Sequence, residues 1–239
     1  MWLDDSLSKM TLTEDVEEYL LGRGTKESTI ESEGITTWKQ TDDVIPDQGF
    51  SDAYGSHGEK LNGYMVCPVR SPRGVLIGFE ARNIHKKIIM DYRLPESKWT
   101  PFFIGTRSAI PKIWEGGDVW VCEGLFDKTA LEWAVPQGDA VLATVTARLS
   151  GLHVEFLRRF CTGWVNMVYD NDETGRKATI GWTDAESGKY RFGALDSLKK
   201  AGLKCRDVVY SGGKDPGVIW DTGGLPAIMA AFAARNISK

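Results

Sequence analysis

The chain has 239 residues, 42% of them hydrophobic, and a formal net charge of −4. That length allows one or two domains with a sizeable core, and the mild acidity argues against a protein that is basic over its whole surface. No apolar run approaches the roughly 18 residues of a membrane span, and Cys67, Cys122, Cys161 and Cys205 are far apart with no CxxC pair, so a zinc module is not expected and the thiols suit a reduced, cytoplasmic protein.

MWLDDSLSKM at the start has no basic stretch followed by an apolar one, so it reads as a loose leader and not a signal peptide. Thr13, Glu14 and Asp15 suit a helix start, with Val16, Tyr19 and Leu20 as the apolar stripe and Gly22 and Gly24 as the stop. A second short helix is expected over 26–33, closed by Gly34. Residues 38–61 have no clear period and read as loop, with room for a short strand. GYMVCPVR (63–70) and VLIGFEAR (75–82) are strand candidates joined by Ser-Pro-Arg-Gly, a hairpin signal. From Lys60 to Lys112 there are ten Lys/Arg against three acids, a local +7 in an acidic protein. Such a segment is either a solvated sheet face or a track for a phosphate backbone. Trp99, Phe102 and Phe103 lie among these charges; core packing is their expected role, and stacking on bases is the alternative.

Near Pro111 the pattern becomes β–α–β. VWVC (119–122), AVLATV (140–145), 165–169 and 205–210 read as strands. Helices are expected over 125–134, after Ser150, from about Thr174, over 194–201 and over 225–235. TDAESGKYRFG (183–193) interrupts this alternation as an insertion-like loop. Strands alternating with helices imply a parallel sheet. There is no GxGxxG and no GxxxxGK[ST], so the dinucleotide and P-loop readings lack support. The division expected is a basic mixed α+β subdomain over 1–112, a parallel α/β domain over 113–220 and a C-terminal helix over 221–239.

Chemistry is expected at the ends of these strands. The run from Val165 to Val168 ends in Asp170 and Asp172, which face the same way if the strand continues. Ligands of parallel α/β sheets sit outside the carboxyl ends of the strands. Two carboxylates there suit a hard divalent cation, although acids capping a helix N-terminus give the same local pattern. Glu123 follows the first strand, Asp127 lies one helical turn beyond it, and Asp215 follows the fourth strand. If the strands are neighbours, five carboxylates converge. Such a cluster raises its own pKa values and normally holds a cation, which points to metal-assisted phosphoryl chemistry.

The arrangement resembles the TOPRIM domain, whose pattern is Glu-Gly after the first strand, then Asp-x-Asp with a Gly beyond it. Here these are Glu123-Gly124, Asp170-Asn171-Asp172 and Gly175. Flanking sequence is similar to DnaG-type primases of bacteria and phages. The similar stretches are EGLFDKTAL (123–131), LATVTARLSGLHVEFLRR (142–159), YDNDETGRKA (169–178) and Lys214-Asp215-Pro216. Upstream, PVRSPRGVLIGFEAR (68–82), DYRLPES (91–97) and YLLGRGTKESTIESEGI (19–35) are similar too, so the likeness runs from about residue 13 to 220.

The resemblance implies a primase catalytic core making short RNA primers on single-stranded DNA from NTPs. Glu123, Asp170 and Asp172 would be catalytic and hold Mg²⁺, with Mn²⁺ as a substitute and no zinc; Asp127 and Asp215 would lie beside the same ions. Arg70, Arg82, Lys98, Arg107 and Lys177 would hold nucleotide and template phosphates. Two positions depart from the family pattern: Asp91 stands where a lysine is usual, and Gly217 where a second acid is usual. No zinc-ligand spacing or helicase-contact region is seen, so a replicative helicase and a separate zinc-bearing subunit are the expected partners, as in a phage-type system. The alternatives are a TOPRIM nuclease or phosphotransferase, and a non-catalytic DNA-binding replication subunit. His57, His85 and His153 are scattered and are not expected to act as bases.

Overall fold

The computed structural model describes residues 2–40, 47–146 and 148–233, and the backbone of 236–238. Helices α1 (Trp2–Lys9), α2 (Glu14–Gly22) and α3 (Glu27–Glu33) lead into an antiparallel sheet of order β1 (Thr36–Thr37), β2 (Met65–Arg70), β3 (Leu76–Asn83), β4 (Ile88–Arg93), with α4 (Gln48–Tyr54) between β1 and β2. The expected hairpin is β2–β3. Gly74 takes φ 78 in its turn, where Ser71 N donates to the Val75 carbonyl at 2.8 Å.

Three expectations in this half are corrected. The leader is α1, because Leu3 and Leu7 are buried against an aromatic cluster that includes Trp38, Phe50, Phe79 and Tyr92. Among its described residues the stretch read as loop holds α4 and no strand, since Asp47 caps the helix by accepting from Phe50 N at 2.7 Å and Phe50 fills the cluster; residues 41–46 of that stretch lie outside the described residues. The strand β4 was not expected. It follows a turn in which Asn83 Oδ1 accepts from the His85 and Lys86 amides, and it pairs with all of Gly78 to Asn83.

The second half adds α5 (Thr106–Trp114) and then β5 (Val119–Cys122), α6 (Leu125–Ala134), β6 (Ala140–Ala143), α7 (Gly151–Phe160), β7 (Val165–Met167), α8 (Glu173–Ile180), β8 (Trp182–Thr183), β9 (Tyr190–Arg191), α9 (Ala194–Lys200), β10 (Cys205–Val209), α10 (Pro216–Ala233) and β11 (Asn236–Ser238). The main sheet has the order β11-β10-β7-β5-β6, with β10, β7, β5 and β6 parallel and β11 antiparallel on the edge. The loop expected over 183–193 contains the hairpin β8–β9. The expected terminal helix is the second part of α10, beyond a break at Gly224; residues 234 and 235 lie outside the described residues.

Both faces of the main sheet are covered, as its parallel strands require. Along β5, Trp120 and Cys122 join one core with Val16, Leu20, Met65 and Phe232, while Val119 and Val121 join a second with Phe156, Leu157 and Leu198. The first core runs without a break from the N-terminal helices into the parallel sheet. Ile104 and Ala143 add a backbone bridge, with both amides donating at 3.0 Å. Buried Lys128 on α6 lies 2.6 Å from Glu132 Oε1 and 3.9 Å from Glu33 Oε1 on α3. Among the described residues no helix is long and apolar enough to cross a membrane.

Candidate active site

The carboxyl ends of β5 and β7 lie side by side, and each strand stops because its next residues turn into a helix start. After β5, Asp127 Oδ2 accepts from Gly124 N at 3.0 Å and closes the first turn of α6. After β7, Asp172 caps α8 by accepting from Gly175 N at 2.9 Å. A Cβ at position 175 would stand 2.1 Å from the Asp170 carbonyl oxygen, so only glycine lets the chain fold back so closely.

These turns bring the acids together. The Asp170 amide donates to Glu123 Oε1 at 3.2 Å. Gly217 N, at the start of α10, donates to Asp127 Oδ1 at 3.1 Å, and Asp215 Oδ1 accepts from Val218 N at 2.6 Å. Lys214 Nζ lies between the two aspartates of the third strand end, 3.0 Å from Asp170 Oδ2 and 3.1 Å from Asp172 Oδ2.

Burial pushes the Glu123 carboxyl up to about 7, and the charge of Asp170 adds to the effect. Burial also raises Asp127, with the nearby Asp215 charge next in weight. Asp170 is raised by burial against the opposing pull of Lys214. Asp172 is lowered, first by the Gly175 amide and then by Lys214. The rim is thus short of positive charge at neutral pH, and Lys214 meets only part of the deficit. An all-oxygen set of this kind fits a hard divalent cation such as Mg²⁺ or Mn²⁺. In the present side-chain arrangement no three His, Cys, Asp or Glu among the described residues form a closed ligand group.

Facing the acids across a cavity of about 290 Å³ are Arg23 and Arg82. Their guanidinium carbons lie 4.4 Å and 4.6 Å from the centre of the Phe126 ring. Arg23 Nε, Arg82 Nε and Glu80 Oε1 are buried without a hydrogen-bond partner. The guanidinium ends are partly engaged within the chain: Arg23 Nη1 pairs with Asp221 at 2.6 Å, and Arg82 Nη2 lies 3.6 Å from Glu80 Oε1. Val145, on the same wall, sits at φ 64, a left-handed conformation that costs a β-branched residue about 1–3 kcal/mol. Its amide donates to the Glu123 carbonyl at 2.8 Å, which ties the strained loop to the acid.

Comparison with known proteins agrees with this layout. Residues 120–218 match the family described as Toprim-like. The DNA primase of Neisseria meningitidis serogroup A is 31% identical over 158 residues, which is 62% of this chain and 24% of that protein. The Aquifex aeolicus primase structure, comprising zinc-binding and RNA polymerase domains, aligns over 98% of this chain and 58% of its own with a TM-score of 0.67 at 21% identity. A DnaG primase catalytic domain solved with ssDNA aligns over 99% of this chain and 78% of its own, with a TM-score of 0.68 at 18% identity. Residues 120–218 form a Toprim-like domain, and the chain shares the fold of the DnaG primase catalytic core. Its match spans about a quarter of the length of the Neisseria relative.

Within this TOPRIM core, Glu123, Asp127, Asp170, Asp172 and Asp215 gather at one rim, and Arg82 faces it. The other expected phosphate-binding residues lie elsewhere. Arg70 stands at the opposite end of the β2–β3 hairpin: Arg82 pairs with Met65 and Arg70 with Leu76, so about 16 Å of strand separates them. Arg70 Nη2 bonds Asp4 Oδ1 at 2.7 Å, and with Arg107 it lines a separate cavity beside Asp4, Asp5 and Ser8. Lys98 Nζ is 5.6 Å from the Trp99 ring centre. Lys177 Nζ pairs with Glu173 on the outside of α8 at 2.6 Å. Asp91 pairs with Glu80 across β3–β4, and burial raises its carboxyl. At the second departure, a Cβ on Gly217 would lie 3.3 Å from both Asp127 Oδ1 and Asp215 Oδ1, so this backbone packs directly on the acids. His153 is buried, contacts the Phe102 carbonyl oxygen through Nε2 at 3.2 Å and is held down to about 4 by burial.

Arg23, Glu80 and Val145 were not among the expected site residues. Arg23 had one signal, its place in the RGT of the primase-like entrance to α3. Glu80 and Val145 had none, because their positions follow from strand pairing and a loop strain that no short motif records.

Proposed function

We propose that this chain is the catalytic core of a primase, synthesising short RNA primers on single-stranded DNA by Mg²⁺-dependent nucleotidyl transfer. The observation that carries the reading is one cavity lined by Glu123, Asp127, Asp170 and Asp215 together with Arg23 and Arg82, in which the Asp170 backbone amide donates to Glu123 Oε1 at 3.2 Å. Glu123, Asp170 and Asp172 would hold Mg²⁺, with Asp127 and Asp215 supporting them. The bound metal would lower the pKa of an attacking 3′-hydroxyl and neutralise a leaving pyrophosphate. Arg23 and Arg82, seated on Phe126, would bind triphosphate or template phosphates through their guanidinium groups. The ssDNA in the DnaG relative supports the choice of template. A helicase and a zinc-bearing subunit are proposed as partners, and a phage-type replication system in the cytoplasm as the setting.

The test is primer synthesis by the purified chain from NTPs on a single-stranded template with Mg²⁺ or Mn²⁺, alone and with a helicase or zinc-bearing partner. Asp170→Ala and Asp172→Ala should abolish synthesis while template binding stays measurable, and Arg82→Glu should weaken that binding and lower its salt slope by about one. Shortening of labelled DNA without NTPs would identify a nuclease instead. Binding with neither activity, under all these conditions, would leave a non-catalytic subunit.

A further inference from the structure

The hairpin β8–β9 interrupts the alternation of strands and helices, yet it is held in a defined shape. The Tyr190 hydroxyl lies 2.9 Å from the Ile180 carbonyl oxygen and 2.8 Å from Asp196 Oδ2, and Asp196 Oδ2 also accepts from Gly193 N. Trp182 pairs with Arg191 across the two strands. Between this hairpin and the loop after β6 lies a pocket of about 350 Å³, at the small end of the range for ligand sites. Its walls include Trp182, Tyr190 and Phe192, and its charged lining residues are Arg148 and Arg191. Arg148 lies over the Trp182 ring at 5.8 Å, and Tyr190 and Phe192 meet edge to face at 5.4 Å. Phe192 is 70% exposed, an unusual place for a large ring. Neither arginine forms a salt bridge among the described residues, although the Arg191 charge acts on the Asp184 carboxylate; Asp196 is bound to Tyr190.

The loop after β6 links this pocket to the carboxylate cleft. Val145 and Thr146 line the cleft, while Arg148 and Leu149 line the pocket. From Thr146 to Arg148 the backbone spans at most about 7 Å. A strand held at the carboxylates therefore has an aromatic, cationic slot within reach along the loop after β6. Flat rings with a guanidinium beside them suit nucleobases of any sequence, because every base offers a π-face.

We propose that the pocket bounded by Arg148, Trp182, Tyr190 and Phe192 stacks an unpaired base of a single-stranded nucleic acid lying in the carboxylate cleft. The proposal rests on the reading of the cleft as a nucleotidyl-transfer site. The base belongs either to template DNA or to the RNA product, and the chemistry of the slot is the same for both.

The test is fluorescence anisotropy of labelled dT12 and rU12 with the full chain, without NTPs and in EDTA. Phe192→Ala should weaken binding about 5- to 100-fold. Arg148→Glu should weaken it as well, whereas Trp182→Phe, which keeps a stacking face, should bind within about twofold of the wild type. Photo-activated 4-thiothymidine or 4-thiouridine in the strand should cross-link to the 182–192 peptide. Dependence on Phe192 with dT12 alone assigns the template, and with rU12 alone the product. Wild-type affinity in both Phe192→Ala and Arg148→Glu, with no cross-link to this peptide, overturns the proposal even if Arg82→Glu still weakens binding and primers are still made. If Phe192→Ala weakens binding and the cross-link forms while no primer is made, the slot stands and the primase reading fails.

Discussion

The Asp170 amide donates to Glu123 Oε1 at 3.2 Å, joining two strand ends that are 47 residues apart in the chain. Glutamine at position 123 keeps this acceptor and removes the charge. Glu123→Gln is therefore expected to lower primer synthesis by at least about 100-fold, because removing a charge that acts on the transition state costs roughly 3 kcal/mol or more. The same change should leave the melting temperature equal or up to about 3 °C higher, since the carboxylate is disfavoured by burial and by Asp170. Extension assays and thermal melts on one preparation check both halves. A large fall in melting temperature would mean that the charge is structural.

Stability without divalent cations should fall as pH rises. In the unfolded chain a glutamate releases its proton near 4.3. In the folded chain Glu123 and Glu80 hold theirs up to about 7, and Asp127 and Asp170 are also raised. Between those limits the folded state binds more protons, so raising the pH through this window removes stability. His153 acts in the opposite sense, because burial holds it down to about 4 and stability is lost as pH falls below about 6.5. The carboxylates outnumber it. In EDTA the melting temperature should be lower at pH 8 than at pH 5.5, and Mg²⁺ should raise it more at pH 8. Equal Mg²⁺ effects at the two pH values would remove the cluster as the binding site.

Lys214 is the counter-ion that a metal would have to displace. It bridges Asp170 and Asp172 from a half-exposed position. Exposed ion pairs contribute about 0.2–1 kcal/mol each. Lys214→Met should therefore bind Mg²⁺ roughly 2- to 10-fold more tightly in calorimetric titration. Weaker binding in the variant would show that the ammonium supports the metal site and does not compete with it.

The parts of this site that could be read from the sequence are those set by short local rules. An apolar run ending in Asp170-Asn171-Asp172, and Gly175 after it, determines a strand, a tight turn and a helix start within ten residues. The same holds for Glu123-Gly124, and for the hairpin turn at Ser71–Gly74. The cation wall was less legible. Arg70 and Arg82 look equivalent along the chain, but the β2–β3 register sends them to opposite ends of the hairpin. Arg23 reaches the cleft only because α2 packs its Val16 and Leu20 into the core shared with Phe126. The strand β4 was hidden because Ile88 and Ile89 are exposed at its outer edge, where buried alternation fails.

Lys128 shows how tightly the two halves are joined. Its side chain is fully buried, with Glu132 Oε1 at 2.6 Å and Glu33 Oε1 at 3.9 Å. Glu132 Oε2 accepts from Thr29 Oγ1, Lys26 donates to the Glu132 carbonyl, and Ser108 donates to Glu33, so α3, α5 and α6 share one polar network. Removing one partner of a buried ion pair leaves the other charge uncompensated, at a cost of about 3–5 kcal/mol. Lys128→Met should lower stability by that amount in urea denaturation. Adding Glu132→Gln should recover a good part of it, because one stranded charge is gone while the Thr29 bond can persist. If the single variant loses less than about 1 kcal/mol, water reaches these carboxylates and the halves are joined chiefly by the apolar core that Val16, Met65 and Trp120 share.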